Sequence, residues 1–231
     1  MNCRFWPVIA AVLLAGCDGG EPPAAAPTSR AAEAPTEPSA TVAGPERRIL
    51  AFGDSLFAGY GLGKEEGYPE RLQAALRQRG INAQVADAGV SGDTTAGGRQ
   101  RIAFVLDAME RAPDLALVEL GGNDLLRGLS PEEARANLAA ILDELKKREV
   151  PVVLYGMRAP PTAGPEDQAA FDGMYPELAR QYGATLVPFF MEPVAFDPSL
   201  RLPDRIHPTA EGVDKMVAAT VEIVAGALPE D

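Results

Sequence analysis

Beyond residue 17 the chain contains no cysteine, and in all 231 residues it has one histidine, His207. Cys3 and Cys17 both stand at the start, so the rest of the chain has no thiol for a disulfide framework, a thiolate nucleophile or a zinc site. Basic residues are scarce as well: 21 Lys and Arg face 33 Asp and Glu, a net charge of −12. That balance repels phosphate backbones and argues against nucleic-acid binding. Apolar residues make up 46% and aromatics 6%, which in a chain of this length supports one core and one domain. Phosphate-cradle motifs are missing too. Lys64 is followed by Glu65 where a Walker loop has Lys-Ser/Thr, and Lys64 itself stands at the third glycine position of a dinucleotide fingerprint begun by Gly59 and Gly61.

No apolar run is long enough to span a bilayer comfortably; the stretch from Phe5 to Gly16, behind Arg4, has the length of an export signal. Its end, Leu14-Ala15-Gly16-Cys17, resembles the lipobox of bacterial lipoproteins, in which the cysteine is acylated and becomes the first mature residue. A plain signal peptide with a chance cysteine is the alternative. Residues 18–45 are Pro, Ala, Glu and Ser with almost no large apolar side chain, a composition that cannot offset its own ordering entropy. The expected organisation is therefore a lipoprotein signal peptide at 1–16, the lipidated Cys17 with a disordered tether to residue 45, and one folded domain over 46–231. Such a protein is held at a membrane through Cys17, in the bacterial cell envelope, facing the periplasm or exterior.

From Arg47 onward, short apolar runs at 47–54, 83–89, 114–122, 150–157 and 184–190 alternate with amphipathic stretches. Ser130-Pro131-Glu132-Glu133 opens one of these with an N-cap, a proline at the first helical position and acidic residues in the first turn. The alternation predicts an α/β fold, a flavodoxin-like three-layer α/β/α sandwich around a five-stranded parallel sheet. Its ligand crevice lies at the carboxyl ends of the strands.

That rule brings Gly53-Asp54-Ser55, Gly121-Gly122-Asn123-Asp124 and the segment after the last strand to one rim. A turn explains the glycines, and Asp54 can cap the next element. A serine nucleophile also needs a base and an orienting acid. His207 supplies the one imidazole, with Asp204 three residues before it; that spacing in a loop lets the carboxylate accept Nδ1–H and leaves Nε2 for the Ser55 proton. Asp204 as the cap of a short turn is the competing, and compatible, role. A Gly-x-Ser-x-Gly nucleophile elbow is missing at both Ser55 and Ser91.

Together, GDSL at 53–56, SGDT at 91–94, GGND at 121–124 and DRIHP at 204–208 resemble the four blocks of the SGNH (GDSL) hydrolase family, over about residues 47 to 226. The wording between blocks is similar to its bacterial branch of periplasmic thioesterases, arylesterases and lysophospholipases. The resemblance implies a serine esterase acting on small-molecule or lipid esters and thioesters through an acyl-enzyme, without metal or cofactor. It implies Ser55 as nucleophile, His207 as base and Asp204 as its orienter. The oxyanion donors would be the Ser55 and Gly92 N–H groups and the Asn123 side chain, while Asp54 and Asp124 hold turns. Two positions depart from that branch: Leu125 where glycine is common, and Arg205 where a small residue is common. Leu125 is thereby expected to narrow the acyl pocket, with Met157, Phe171, Met174 and Tyr175 as further wall residues; at their spacing ordinary core packing is the equal alternative. A carbohydrate O-acetyl esterase on the same scaffold is the rival activity.

Overall fold

The computed structural model of the chain describes residues 42–230. The segments expected to be a signal peptide, a lipidated Cys17 and a tether lie, but for residues 42–45, outside the described residues. Among the described residues no helix is long and apolar enough to cross a membrane.

Five strands, β1 (Arg47–Gly53), β2 (Ala83–Gly89), β3 (Leu115–Glu119), β4 (Val152–Tyr155) and β5 (Thr185–Val187), form one sheet in the order β2-β1-β3-β4-β5. Every pairing is parallel. Side chains alternate between faces along a strand. Ile49, Ala51, Leu115, Leu117, Val153 and Tyr155 accordingly point to one face, and Leu50, Phe52, Ala116, Val118 and Leu154 to the other. The first face is covered by α1 (Tyr68–Gln78) and α7 (Ala210–Ala227), the second by α2 (Thr95–Asp107), α4 (Pro131–Lys147) and α5 (Pro165–Tyr182). A sheet buried on both sides needs apolar residues at every position, which is why the runs read as continuous rather than alternating.

Three local departures from the sequence pattern have physical reasons. Helix α2 starts four residues before its amphipathic stretch, because Thr94 caps it by accepting from the Gly97 N–H while Gly97 and Gly98 supply no apolar signal. Strand β5 is only three residues long, since Pro188 has no N–H to continue the ladder. The short helices α3 (Gly122–Leu126) and α6 (Glu192–Ala195) are too brief to show a period. The capped start predicted for α4 is present, with Ser130 Oγ accepting from the Glu133 N–H.

All five strands end at one rim. The register sets Gly53 level with Gly89 on one side and Glu119 on the other. Neighbours β2 and β3 leave the sheet on opposite sides of β1, and the crevice this opens is where the site forms.

Candidate active site

Strand β1 ends at Gly53 because nothing larger fits: a Cβ there would lie 2.8 Å from the Glu119 carbonyl oxygen and 2.9 Å from Glu119 Oε2. The chain then turns. The N–H of Ala58 donates to the Asp54 carbonyl and that of Tyr60 to the Ser55 carbonyl, while Asp54 Oδ1 accepts the Leu56 N–H at 3.0 Å. This Asx-type turn presents Ser55 at the mouth of the crevice. The approach of Ser55 Oγ to Asp54 Oδ1, 3.5 Å, is too long to compete for its proton.

The partner comes from the loop before α7. Leu202 N–H donates to the His207 carbonyl, and Arg205 takes a left-handed φ of 61° to close the turn between them. Asp204 Oδ1 accepts the N–H groups of Ile206 (2.9 Å) and His207 (3.0 Å), and its Oδ2 lies 2.7 Å from His207 Nδ1. Turn cap and imidazole orienter are thus the same carboxylate, using different oxygens. Slight burial opposes ionisation, but the His207 ring and the two backbone N–H groups outweigh it and hold Asp204 down at about 2. His207 Nε2 lies 2.8 Å from Ser55 Oγ, with the Tyr60 ring against the imidazole at 4.4 Å between centroids.

Two further loops complete the rim. Gly92, at φ 82°, has its carbonyl held by Arg127 Nη2 at 2.6 Å, and Arg101 ties the same loop to β1 and β2 through Asp93, Ala88 and Gly53. Among the described residues the Ser55 and Gly92 N–H groups have no hydrogen-bond acceptor. Asn123, in the first turn of α3, donates from Nδ2 to Asp54 Oδ2 at 2.9 Å, which leaves its second amide hydrogen for the cavity. Asp124, by contrast, is buried and anchors α3 to α2 by accepting the Thr95 N–H and hydroxyl.

Ser55, Gly92, Asn123 and His207 share one cleft of about 700 Å³. Leu125, Leu126, Met157, Phe189 and Met191 supply its apolar wall, and Arg158, Arg201 and Arg205 stand along it as well. A hydroxyl in line with an imidazole and a carboxylate, beside unpaired N–H donors, can carry out acyl transfer.

A family model described as the GDSL-like Lipase/Acylhydrolase family matches residues 51–215. The chain belongs to this family. An arylesterase of Vibrio mimicus is 38% identical over 164 residues, covering 71% of this chain and 81% of that protein. Thioesterase 1/protease 1/lysophospholipase L1 of Escherichia coli K12 is 36% identical over 163 residues, covering 71% and 76%. Among solved structures, AlinE4, an SGNH-hydrolase family esterase, is 62% identical with a TM-score of 0.69, over 81% of this chain and all of that one.

Within this GDSL-like hydrolase the predicted pocket residues divide. Leu125 and Met157 line the cleft, but Phe171, Met174 and Tyr175 do not. These three are each 1% exposed and face the sheet from α5, and the Tyr175 hydroxyl donates to the Leu120 carbonyl. Their 171-174-175 spacing is the core-facing stripe of a helix. The wall is made instead by Phe189 and Met191, after β5, and by Leu126. Sequence reading also passed over Glu119, which is wholly buried directly beneath Asp54 and accepts its N–H at 3.2 Å. The signal was there: a lone carboxylate in an otherwise apolar strand.

Proposed function

We propose that the chain is a serine esterase with Ser55 as nucleophile, His207 as base and Asp204 as its orienter. It is a hydrolase of ester bonds, as its relatives' names are. The observation that carries the assignment of residues is the 2.8 Å approach of His207 Nε2 to Ser55 Oγ, with Nδ1 held by Asp204 at 2.7 Å. Ser55 Oγ attacks the acyl carbonyl as its proton passes to Nε2. The oxyanion meets the N–H groups of Ser55 and Gly92 and the free amide hydrogen of Asn123. His207 then protonates the leaving group, and a water activated by the same imidazole releases the acid from the acyl-enzyme. Apart from that water, each proton transfer and each oxyanion contact in this scheme is made by a group of the chain itself.

Carboxylic esters and thioesters of the arylesterase, acyl-CoA thioesterase and lysophospholipase type are the substrates. The cleft volume and its apolar wall favour an acyl chain longer than acetyl, and so speak against carbohydrate O-acetyl esterase activity. Arg158, Arg201 and Arg205 beside it suit a leaving group that carries phosphate. Anchoring in the bacterial envelope through an acylated Cys17 belongs to the same reading, and its support is the sequence of residues 1–17.

The decisive experiment compares p-nitrophenyl esters of graded chain length with acyl-CoA, lysophospholipid and acetylated xylan. Activity rising beyond acetate and absent in Ser55→Ala is expected. Turnover of acetyl groups alone would transfer the protein to the carbohydrate esterases.

A further inference from the structure

Glu119 presents an unusual problem. It ends β3 with no exposed surface, and its Oε1 is buried without a hydrogen-bond partner, while Oε2 accepts the Asp54 N–H at 3.2 Å. Directly above it, Asp54 is 3% exposed, and the two carboxyl groups are neighbours close enough to influence each other's charge. Among the described residues neither pairs with an arginine or lysine. Arg101 reaches the Gly53 carbonyl, but its other nitrogens go to Asp93 and Ala88.

Two buried carboxyls in contact without a cation cannot both ionise. The hydrogen bonds decide which one keeps the proton. Burial raises Asp54 as well, but it accepts the Leu56 N–H on Oδ1 and the Asn123 amide on Oδ2, both of which favour its charged form. Glu119 accepts one N–H. The phenols that face it are committed elsewhere: Tyr175 donates to the Leu120 carbonyl, and Tyr155 is bonded to Tyr68. Burial first, and the neighbouring Asp54 charge second, push Glu119 well above the usual carboxylate range.

We propose that Glu119 carries a proton in the working enzyme and donates it to Asp54, and that this buried acid pair aims the Asn123 amide at the oxyanion. Glu119 and Asp54 are then positioning residues. A proton shared by the pair leaves one negative charge beneath the oxyanion donors instead of two, and that charge is tied up by three donors. Asp54 Oδ2 holds Asn123 from the side away from substrate, so the second amide hydrogen has a fixed direction before substrate arrives. Gly53 is part of the device, since any side chain there would run into Glu119.

The catalytic half of this inference rests on the esterase reading; the proton does not. In the purified protein at pH 7, the infrared spectrum of wild type minus E119Q is expected to show the carbonyl stretch of one protonated carboxylic acid. No such band means Glu119 is ionised and overturns the proposal. For the positioning role, E119M fills the space without a donor and is expected to lower kcat by about tenfold or more with KM within about twofold. E119Q, whose amide can donate to Asp54 while its oxygen accepts the Asp54 N–H, is expected to recover most of that loss. A fully active E119M, or a folded E119Q no better than E119M, would overturn it. If E119M does not fold, the band and the E119Q rate against wild type decide. A chain with no esterase activity would still show the band, which separates failure of this proposal from failure of the function.

Discussion

His207 Nε2 stands 2.8 Å from Ser55 Oγ although 152 positions of chain separate the two residues. The contact is a product of sheet order: β1 lies inside the sheet between β2 and β3, and the loop before α7 returns to the same rim. Asp204 fixes the imidazole from behind through Nδ1. The three side chains are therefore brought together by the fold, not by substrate.

Ser55→Ala and His207→Ala are each expected to remove esterase activity by several orders of magnitude while the protein stays folded. The double variant should be little worse than either, because each single change already disables the unit. Steady-state kinetics on the three variants, with circular dichroism for folding, test this. Multiplying losses would mean the two residues work independently.

Asp204→Asn tests the orienter. An amide at 204 can present N–H instead of oxygen to Nδ1, which favours the wrong tautomer, and kcat should fall by about 10²–10⁴. Stability should respond to pH in a defined window. The Asp204 carboxyl is held at about 2 in the folded chain, below the ordinary unfolded value of about 3.9. A depressed value stabilises the fold above about pH 4 and that contribution fades as pH falls through 2. The stability gap between wild type and Asp204→Asn should be flat from pH 7 to 4 and then close; a gap that is unchanged at pH 2 contradicts the assignment.

How much of this was legible depends on sequence distance. Strands buried on both faces announce themselves as apolar runs, and the Asp204-His207 pair is three residues apart, so sheet and base were readable. The walls of the cleft were not. Phe171, Met174 and Tyr175 form a helical stripe, and a stripe does not say whether it faces a core or a pocket. Glu119 was visible as a carboxylate among apolar neighbours, but its meaning needs the register that sets it level with Gly53. Likewise Asn123 was expected to donate to an oxyanion, while its second partner, Asp54, lies 69 positions away.

The acyl preference should move with Met157 and Leu125, both on the cleft wall. The Met157 methyl would lie 3.5 Å from a Cβ at Gly122, beside the turn that carries Asn123. Met157→Trp therefore fills space next to the reacting carbonyl and should shift the best p-nitrophenyl ester to shorter chains; Leu125→Gly should shift it to longer ones. Unchanged profiles in both would place the acyl group elsewhere.

Alkaline stability should follow a buried hydroxyl chain. Thr220 Oγ1 donates to the Met216 carbonyl at 2.8 Å, so the Tyr68 hydroxyl donates to Thr220 at 2.6 Å and accepts from Tyr155 at 2.8 Å. Burial pushes Tyr68 up to about 12, against an unfolded value of about 10. A raised value means stability intact below pH 10 and lost as pH climbs through 12, by about 1.4 kcal/mol per pH unit for one such group. Urea denaturation between pH 8 and 11.5 should show Tyr68→Phe less stable at pH 8, with the difference shrinking above pH 10. Parallel curves would contradict the buried, protonated phenol.

Asn123 offers the sharpest test of transition-state stabilisation, because its amide has two hydrogens with two different duties. One is bound to Asp54 Oδ2 in the resting enzyme, and the other is assigned to the oxyanion. The second bond strengthens as the carbonyl oxygen becomes charged, so its loss acts on the barrier more than on bound substrate. Asn123→Ala should lower kcat by about 10²–10³, roughly 2.7–4 kcal/mol, with KM changed a few-fold. Asn123→Asp loses the same donor and sets a carboxylate against Asp54, so it should be at least as slow at pH 8 and less stable than Asn123→Ala. If the side chain only shaped the turn, Asp would serve nearly as well as Asn and kcat would hold. Measuring kcat, KM and melting temperature for both variants decides between these roles, and an active, stable Asn123→Asp enzyme would remove Asn123 from the oxyanion site.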